Sequence, residues 1–158
     1  MNEFSHLNSL GKAEMVDVSS KEETVRTAEA FAEVLVSEEV FLKIKNNEIA
    51  KGDVLSIAKF AGIQGAKKTW ELIPLCHNIF ISKVDVELKL NEEKKSIEIT
   101  SFAKTVEKTG IEMEALTAVS SASLTVYDMC KAIDKSIKIS NIKLLSKTGG
   151  KSGNYKIT

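Results

Sequence analysis

Asp128 and Lys131 have the types and spacing needed for acid–base chemistry, because they lie three positions apart in a segment with helical periodicity. Apolar residues recur there at steps of three and four from Ala115 to Ile133, which predicts a long helix with one core-facing stripe. Asp128 and Lys131 fall on the opposite side of that helix. They form either an exposed surface ion pair or a proton-transfer group in which the carboxylate shifts the pKa of the lysine.

The same outer face of this helix also carries Ser120, Ser121 and Leu124. Small and apolar side chains suit contact with another protein surface better than contact with water. A helix with two contact faces predicts a partner subunit, and therefore a homo-oligomer.

The stretch TWELIPLCHNIF, residues 69–80, contains the only tryptophan and the only proline of the chain. His77 lies at a predicted helix-to-strand connection, where ligands are commonly bound, although a structural role is the alternative. No run of basic residues adjoins Cys76, so an inert, buried thiol is expected there. Trp70 is expected in the core.

Glu112 and Glu114 flank Met113 at the predicted start of the long helix. The helix dipole favours acidic residues at this end, which is sufficient to explain them. Two carboxylates can also accept hydrogen bonds from the N–H groups at the edge of a guanine-like ring.

Basic residues cluster in three segments, at Lys51, at Lys67 with Lys68, and in SKTGGKSG with Lys147 and Lys151. Glycines and lysines in the last segment are typical of a loop that binds phosphate through backbone N–H groups and positive charge. The segment lacks the P-loop motif, and a flexible tail remains the alternative.

The periodicity of apolar residues along the chain predicts the strands and helices that position these residues. Alternation predicts a strand over 26–36, a hairpin from Ile79 through the turn NEEKK to Ile99, and a last strand over 137–144. Ser37 and Asp53 are N-cap candidates for two helices, the second reaching about Glu71 and carrying a small-residue face with Gly62 and Gly65.

This order of elements predicts a ferredoxin-like α+β fold, with a four-stranded antiparallel sheet and helices packed on one face. A length of 158 residues favours one catalytic domain over 1–158, with a mobile arm at 1–14 and a Gly/Lys-rich tail at 146–158.

Composition narrows the class of protein. Lys and Arg total 22 and Asp and Glu total 22, so no global positive field favours nucleic acid. The sequence shows neither an apolar run of membrane-spanning length nor a signal peptide, which predicts a cytoplasmic protein without membrane contact. Cys76 and Cys130 fit neither a disulfide framework nor a zinc site, and no metal ligands are predicted.

Four segments together resemble the cyclic pyranopterin monophosphate synthase family of molybdenum cofactor biosynthesis, and the resemblance extends from Met15 to Gly153. The segments are MVDVSSKEETVR, KGDVLSIAKFAGIQGAKKTWELIPLCHNI, TGIEMEALTAVSSASLTVYDMCKAIDK and LLSKTGGKSG. The resemblance implies a lyase that converts a 3′,8-cyclised 7,8-dihydro-GTP to a pyranopterin carrying a cyclic phosphate, with release of pyrophosphate. It also implies ferredoxin-like subunits in a homohexamer, arranged as a trimer of dimers with sites between subunits.

The resemblance implies three groups of site residues. The acid–base group would be Asp128, Lys51 and Lys131. The substrate-binding residues would be Leu75, Cys76, His77, Glu112, Met113 and Glu114. The triphosphate would meet Lys21, Arg26, Lys67, Lys147 and Lys151, partly from a neighbouring subunit. No resident cofactor is implied, and Mg²⁺ accompanying the triphosphate remains open.

Two positions depart from the family pattern. Asn78 stands where many relatives have proline, and Glu14 stands where a basic residue or histidine is frequent. Because a ferredoxin-like domain can also serve as a ligand sensor, a non-catalytic purine-nucleotide-binding regulator is the alternative function, and a purely structural oligomer is a third.

Overall fold

The computed structural model describes residues 10–151 and 153–157. Its strands form one antiparallel sheet in the order β2-β3-β1-β4-β5, with helices packed against it. The strands are β1 (Thr24–Leu35), β2 (Lys83–Asn91), β3 (Ser96–Glu107), β4 (Lys138–Thr148) and β5 (Tyr155–Lys156). The helices are α1 (Glu38–Lys45), α2 (Val54–Lys67), α3 (Thr69–Leu72) and α4 (Glu112–Cys130). The predicted α+β fold is confirmed, and the sheet gains a short fifth strand.

Strand β1 is the centre of the sheet and pairs with β3 on one side and with β4 on the other. Its core-facing positions Ala28, Ala30, Ala32 and Val34 are fully buried. Side chains this small bring the helices close to the strand. The predicted stripe on α4, which includes Val119, packs into the core on this face.

Helices α2 and α4 pack through glycine, as the small-residue face of α2 predicts. A β carbon on Gly62 would lie 2.9 Å from the carbonyl oxygen of Ala118, and one on Gly65 would lie 2.1 Å from Ser121 Oγ. Ser121, which is half-buried, therefore packs against α2 of its own chain, and the predicted contact of this face with a partner subunit stays a prediction. Leu124 remains 62% exposed.

The end of α2 differs from the sequence prediction. Both predicted N-caps are present, with Ser37 Oγ accepting from Val40 N and Asp53 Oδ1 accepting from Ser56 N. However, α2 stops at Lys67, and α3 is a separate single turn. Thr69 is buried in that turn, which turns Trp70 outward, so Trp70 is 45% exposed and its prediction as a core residue is wrong.

The C-terminal segment is attached to the sheet. Ser146 and Lys147 belong to β4, where they pair with Lys156 and Tyr155 of β5. The boundary predicted for the tail at residue 146 is therefore wrong, because β4 continues to Thr148 instead of ending near Leu144. Of the predicted arm at 1–14, residues 1–9 lie outside the described part of the chain. The helices that are described include none long and apolar enough to cross a membrane.

A buried carboxylate joins three strands on the open face of the sheet. Glu33 of β1 is 4% exposed and accepts hydrogen bonds from Ser96 Oγ at 3.0 Å and Asn141 Nδ2 at 3.0 Å. Lys94 Nζ contributes an ion pair at 3.3 Å. Burial raises the pKa of Glu33, but these three donors outweigh it and keep the pKa below its ordinary value.

We predict that Glu33→Gln lowers the free energy of unfolding by about 1–3 kcal/mol, because the new amide N–H group faces donors and leaves a buried group unsatisfied. Urea unfolding monitored by circular dichroism measures the change. Glu87→Gln is the control, because Glu87 only forms an exposed pair with Lys89 and should change stability by less than about 0.5 kcal/mol. Equal effects of the two substitutions would contradict the prediction.

Candidate active site

A carboxylate held between two ammonium groups lies at the C-terminal end of α4. Asp128 Oδ1 is 2.6 Å from Lys131 Nζ, and Asp128 Oδ2 is 3.0 Å from Lys51 Nζ. Lys51 also donates to the Asp128 carbonyl at 2.8 Å. Because α2 packs antiparallel to α4, the residues before α2 reach this end of α4. We call these three residues the Lys–Asp–Lys cluster.

The ammonium groups determine the charge state of the cluster. The hydrogen bond from Lys131, followed by that from Lys51, lowers the pKa of Asp128, and the Asp128 carboxylate raises the pKa of Lys131 in return. Both shifts keep Asp128 ionised and Lys131 protonated. In the single chain all three side chains are about half exposed.

A cavity of about 370 Å³ lies at the other end of α4, and we call it the inner cavity. All six residues predicted to bind substrate line it: Leu75, Cys76, His77, Glu112, Met113 and Glu114. Val16, Val18, Lys21, Thr109 and Gly110 complete the lining.

The segment 75–77 is tied to the N-terminal segment and to α4. His77 Nε2 lies 2.8 Å from the Val16 carbonyl oxygen, and since a carbonyl only accepts, Nε2 carries the hydrogen. Burial raises the pKa of the Cys76 thiol and the charge of Glu114 adds to the effect, so Cys76 stays protonated, as expected of an inert thiol. Glu114 is 4% exposed, and burial raises its pKa to about 7.

A second cavity of about 820 Å³ adjoins the inner cavity, and we call it the basic cavity. Five cationic side chains and two carboxylates line it: Lys21, Arg26, Lys108, Lys147, Lys151, Glu22 and Glu112. Lys21, Thr109, Gly110 and Glu112 line both cavities. An excess of positive charge beside a pocket that carries carboxylates suits a ligand with an anionic end and a polar ring.

Arg26 is held in place by backbone groups. Its Nε donates to the Glu107 carbonyl at 3.0 Å and its Nη2 donates to the Lys108 carbonyl at 3.2 Å. Gly150 makes room for the guanidinium, since a β carbon there would lie 2.2 Å from Arg26 Nη1. Gly150 also has a φ of +79°, a conformation that glycine adopts readily.

Four of the five predicted phosphate-binding residues line the basic cavity. Lys67 does not, because it is exposed in the last turn of α2. Sequence reasoning missed Lys108, which donates to the Ser19 carbonyl at 3.1 Å. The available signal was its position directly before TGIEME, at the entrance of the predicted helix.

The predicted site is divided between the two ends of α4. Glu112 and Asp128 are separated by sixteen residues, so at 1.5 Å per residue the Lys–Asp–Lys cluster lies roughly 24 Å from the start of the helix. This distance exceeds the length of a nucleotide. One chain therefore does not bring its own cluster to its own cavities. Counting residues along the predicted helix gives the same separation from the sequence alone.

Residues of the types that bind metal ions are not clustered in the described part of the chain. In residues 10–151 and 153–157, no three His, Cys, Asp or Glu side chains are grouped so that they could hold a metal ion. The expectation that no resident cofactor is needed stays a prediction.

The topology and the paired cavities define a ferredoxin-like α+β protein with a cation-lined cavity. Residues 15–150 match the model of the MoaC family, and the chain belongs to that family. A cyclic pyranopterin monophosphate synthase of Peptoclostridium acidaminophilum is 59% identical over 153 residues, covering 97% of this chain and 96% of that protein. The protein of the same name from Clostridium acetobutylicum is 53% identical over 152 residues, covering 96% and 94%.

We predict that Glu114→Gln changes the pH dependence of stability. The folded pKa of about 7 exceeds the ordinary value of 4.5, so the stabilising contribution of the neutral carboxyl is present below 4.5 and is lost as pH rises through 7. The wild type should therefore lose up to about 3 kcal/mol relative to Glu114→Gln between pH 5 and pH 8. Urea unfolding at both pH values and one protein concentration measures this. A difference that stays constant with pH would contradict it.

Proposed function

We propose that this chain is a cyclic pyranopterin monophosphate synthase. It converts (8S)-3′,8-cyclo-7,8-dihydroguanosine 5′-triphosphate to cyclic pyranopterin monophosphate and releases pyrophosphate, an early step of molybdenum cofactor biosynthesis in the cytoplasm. The observation that carries the proposal is the Lys–Asp–Lys cluster, in a chain 59% identical to a protein of that name. The non-catalytic regulator is not favoured, because a sensor does not need such a cluster.

The two adjoining cavities suit the two ends of this substrate. The inner cavity offers Glu114 and Glu112 to the N–H groups of the guanine-derived ring, while Met113 and Leu75 supply apolar contact. The basic cavity offers Lys21, Arg26, Lys147 and Lys151 to the triphosphate. Mg²⁺ can accompany the triphosphate as part of the substrate.

The Lys–Asp–Lys cluster supplies proton transfer. Lys51 and Lys131 are the groups that exchange protons with the ring system as it is opened and rebuilt. Asp128 stays ionised and positions both lysines. Its hydrogen bonds to Lys51 and Lys131 hold the two ammonium groups on opposite oxygens of one carboxylate.

The separation along α4 supports a site shared by two chains. An exposed ion pair in water contributes little, whereas a cluster covered by a neighbouring chain gains electrostatic strength. We therefore place the Lys–Asp–Lys cluster of one chain over the cavities of another, in a homohexamer arranged as a trimer of dimers. Exposed Leu124, one turn before Asp128 on α4, is positioned for that contact.

We predict that Lys51→Ala and Lys131→Ala each lower pyrophosphate release from the cyclised substrate by about 10²- to 10⁴-fold, the usual contribution of an acid–base group. Circular dichroism should show an unchanged fold, because both side chains are exposed. Lys59→Ala is the matched control, since Lys59 forms an exposed ion pair with Asp85 away from the cluster and should keep full activity. A loss of less than about tenfold in either cluster variant would rule out the assignment.

We also predict that two inactive variants restore activity when they assemble together. Lys131→Ala disables the cluster, and Lys147→Glu places a carboxylate in the basic cavity. In a shared site, mixing the two chains equally leaves about one site in four with both halves intact. Co-expression followed by the pyrophosphate assay measures the recovered activity.

The control pairs Lys131→Ala with Lys51→Ala. Both positions contact Asp128 of the same chain, so no combination of these chains restores an intact cluster. Recovery in the first mixture alone supports a shared site. No recovery in the first mixture, or equal recovery in both, would show that sites are not shared in this way.

A further inference from the structure

Glu112 occupies the boundary between the two cavities and is already paired with a cation. Its Oε1 is 2.8 Å from Lys147 Nζ, and the two side chains are only 26% and 25% exposed. Glu112 lines the inner cavity and the basic cavity, whereas Lys147 lines the basic cavity and not the inner one. The pair is better shielded from water than the Lys–Asp–Lys cluster, so its attraction is screened less.

Gly110 leaves open the space that the Glu112 carboxylate occupies at this boundary. A β carbon on Gly110 would lie 1.8 Å from Glu112 Oε2 and 2.7 Å from Cδ, so any other residue at position 110 would require the carboxylate to move from this position. The glycine lets the side chain lie back over the chain that precedes α4. In this position Glu112 forms its ion pair with Lys147 of β4.

We propose that Glu112 is an internal counter-ion that competes with phosphate for Lys147. Before a ligand binds, the carboxylate occupies the ammonium group, and a phosphate must displace it to gain that contact. A ring in the inner cavity offers N–H donors to the same carboxylate. When such a ligand binds, hydrogen bonds from its ring to Glu112 replace the ion pair with Lys147. When a phosphate compound without such a ring binds, the ion pair is broken and no hydrogen bond to Glu112 replaces it.

This role makes Glu112 a specificity-determining residue. The inference rests on the proposed function, because it assumes that the basic cavity binds the triphosphate. Selectivity arises as a difference between affinities: the pair penalises a free polyphosphate more than a polyphosphate attached to the ring. The same competition helps pyrophosphate leave after the reaction, because the Glu112 carboxylate can form its ion pair with Lys147 again.

Binding of inorganic pyrophosphate to the full-length protein tests the proposal by isothermal titration calorimetry in magnesium-free buffer. Glu112→Gln keeps the size of the side chain and removes its charge, so we expect the Kd for pyrophosphate to fall about three- to tenfold. In a Lys147→Gln background the same substitution should change the Kd little, because the ammonium group for which Glu112 and phosphate compete is absent.

Glu22→Gln is the charge-matched control, because Glu22 lines the same cavity but the described ion pair of Lys147 is with Glu112. Tightening by Glu112→Gln alone, and only with Lys147 present, supports the proposal. Equal tightening by Glu22→Gln, or an unchanged or weaker affinity of Glu112→Gln, overturns it while leaving the proposed function intact. If neither the wild type nor Glu112→Gln binds pyrophosphate, the phosphate assignment of the cavity fails as well.

Discussion

The close contact between α2 and α4 is the constraint on which the rest of the structure depends. Gly62 and Gly65 bring the backbone of α2 against the carbonyl of Ala118 and the side chain of Ser121. This contact fixes the register of the two antiparallel helices, and the register determines which residue before α2 meets the end of α4. A side chain at either glycine would push the helices apart and withdraw Lys51 from Asp128.

Cations in both halves of the site are held by groups of the protein itself. Lys51 and Lys131 share one carboxylate, Lys147 is paired with Glu112, and Arg26 donates to two backbone carbonyls. Fixed positions reduce the conformational entropy that these long side chains lose when a ligand binds. The arrangement also avoids the repulsion that several unpaired cations would create in the empty cavities. The Lys–Asp–Lys cluster and the basic cavity are therefore ordered by groups of the protein itself.

Periodic features were predictable from the sequence because they average over several turns. The stripe of α4, the small-residue face of α2 and the antiparallel sheet all arise from such repetition. The family resemblance supplied the residues of the inner cavity, which no periodicity identifies. Trp70 and β5 were missed because a four-residue helix and a two-residue strand have no period to detect. Lys108 directly precedes TGIEME, but its place beside Arg26 in the basic cavity results from the pairing of β1 with β3, which only the folded chain shows.

The length of α4 has a consequence for how this gene can change during evolution. Inserting or deleting one residue in an α-helix rotates everything beyond it by about 100° and shifts it by about 1.5 Å. Within α4 such a change would turn Asp128 away from Lys51 while leaving Glu112 in place. The residue count of α4 is therefore not adjustable. The turn between β2 and β3, at residues 92–95, lies outside α4, so a change of length there would leave Asp128 and Lys51 in register and would instead displace Lys94 from Glu33.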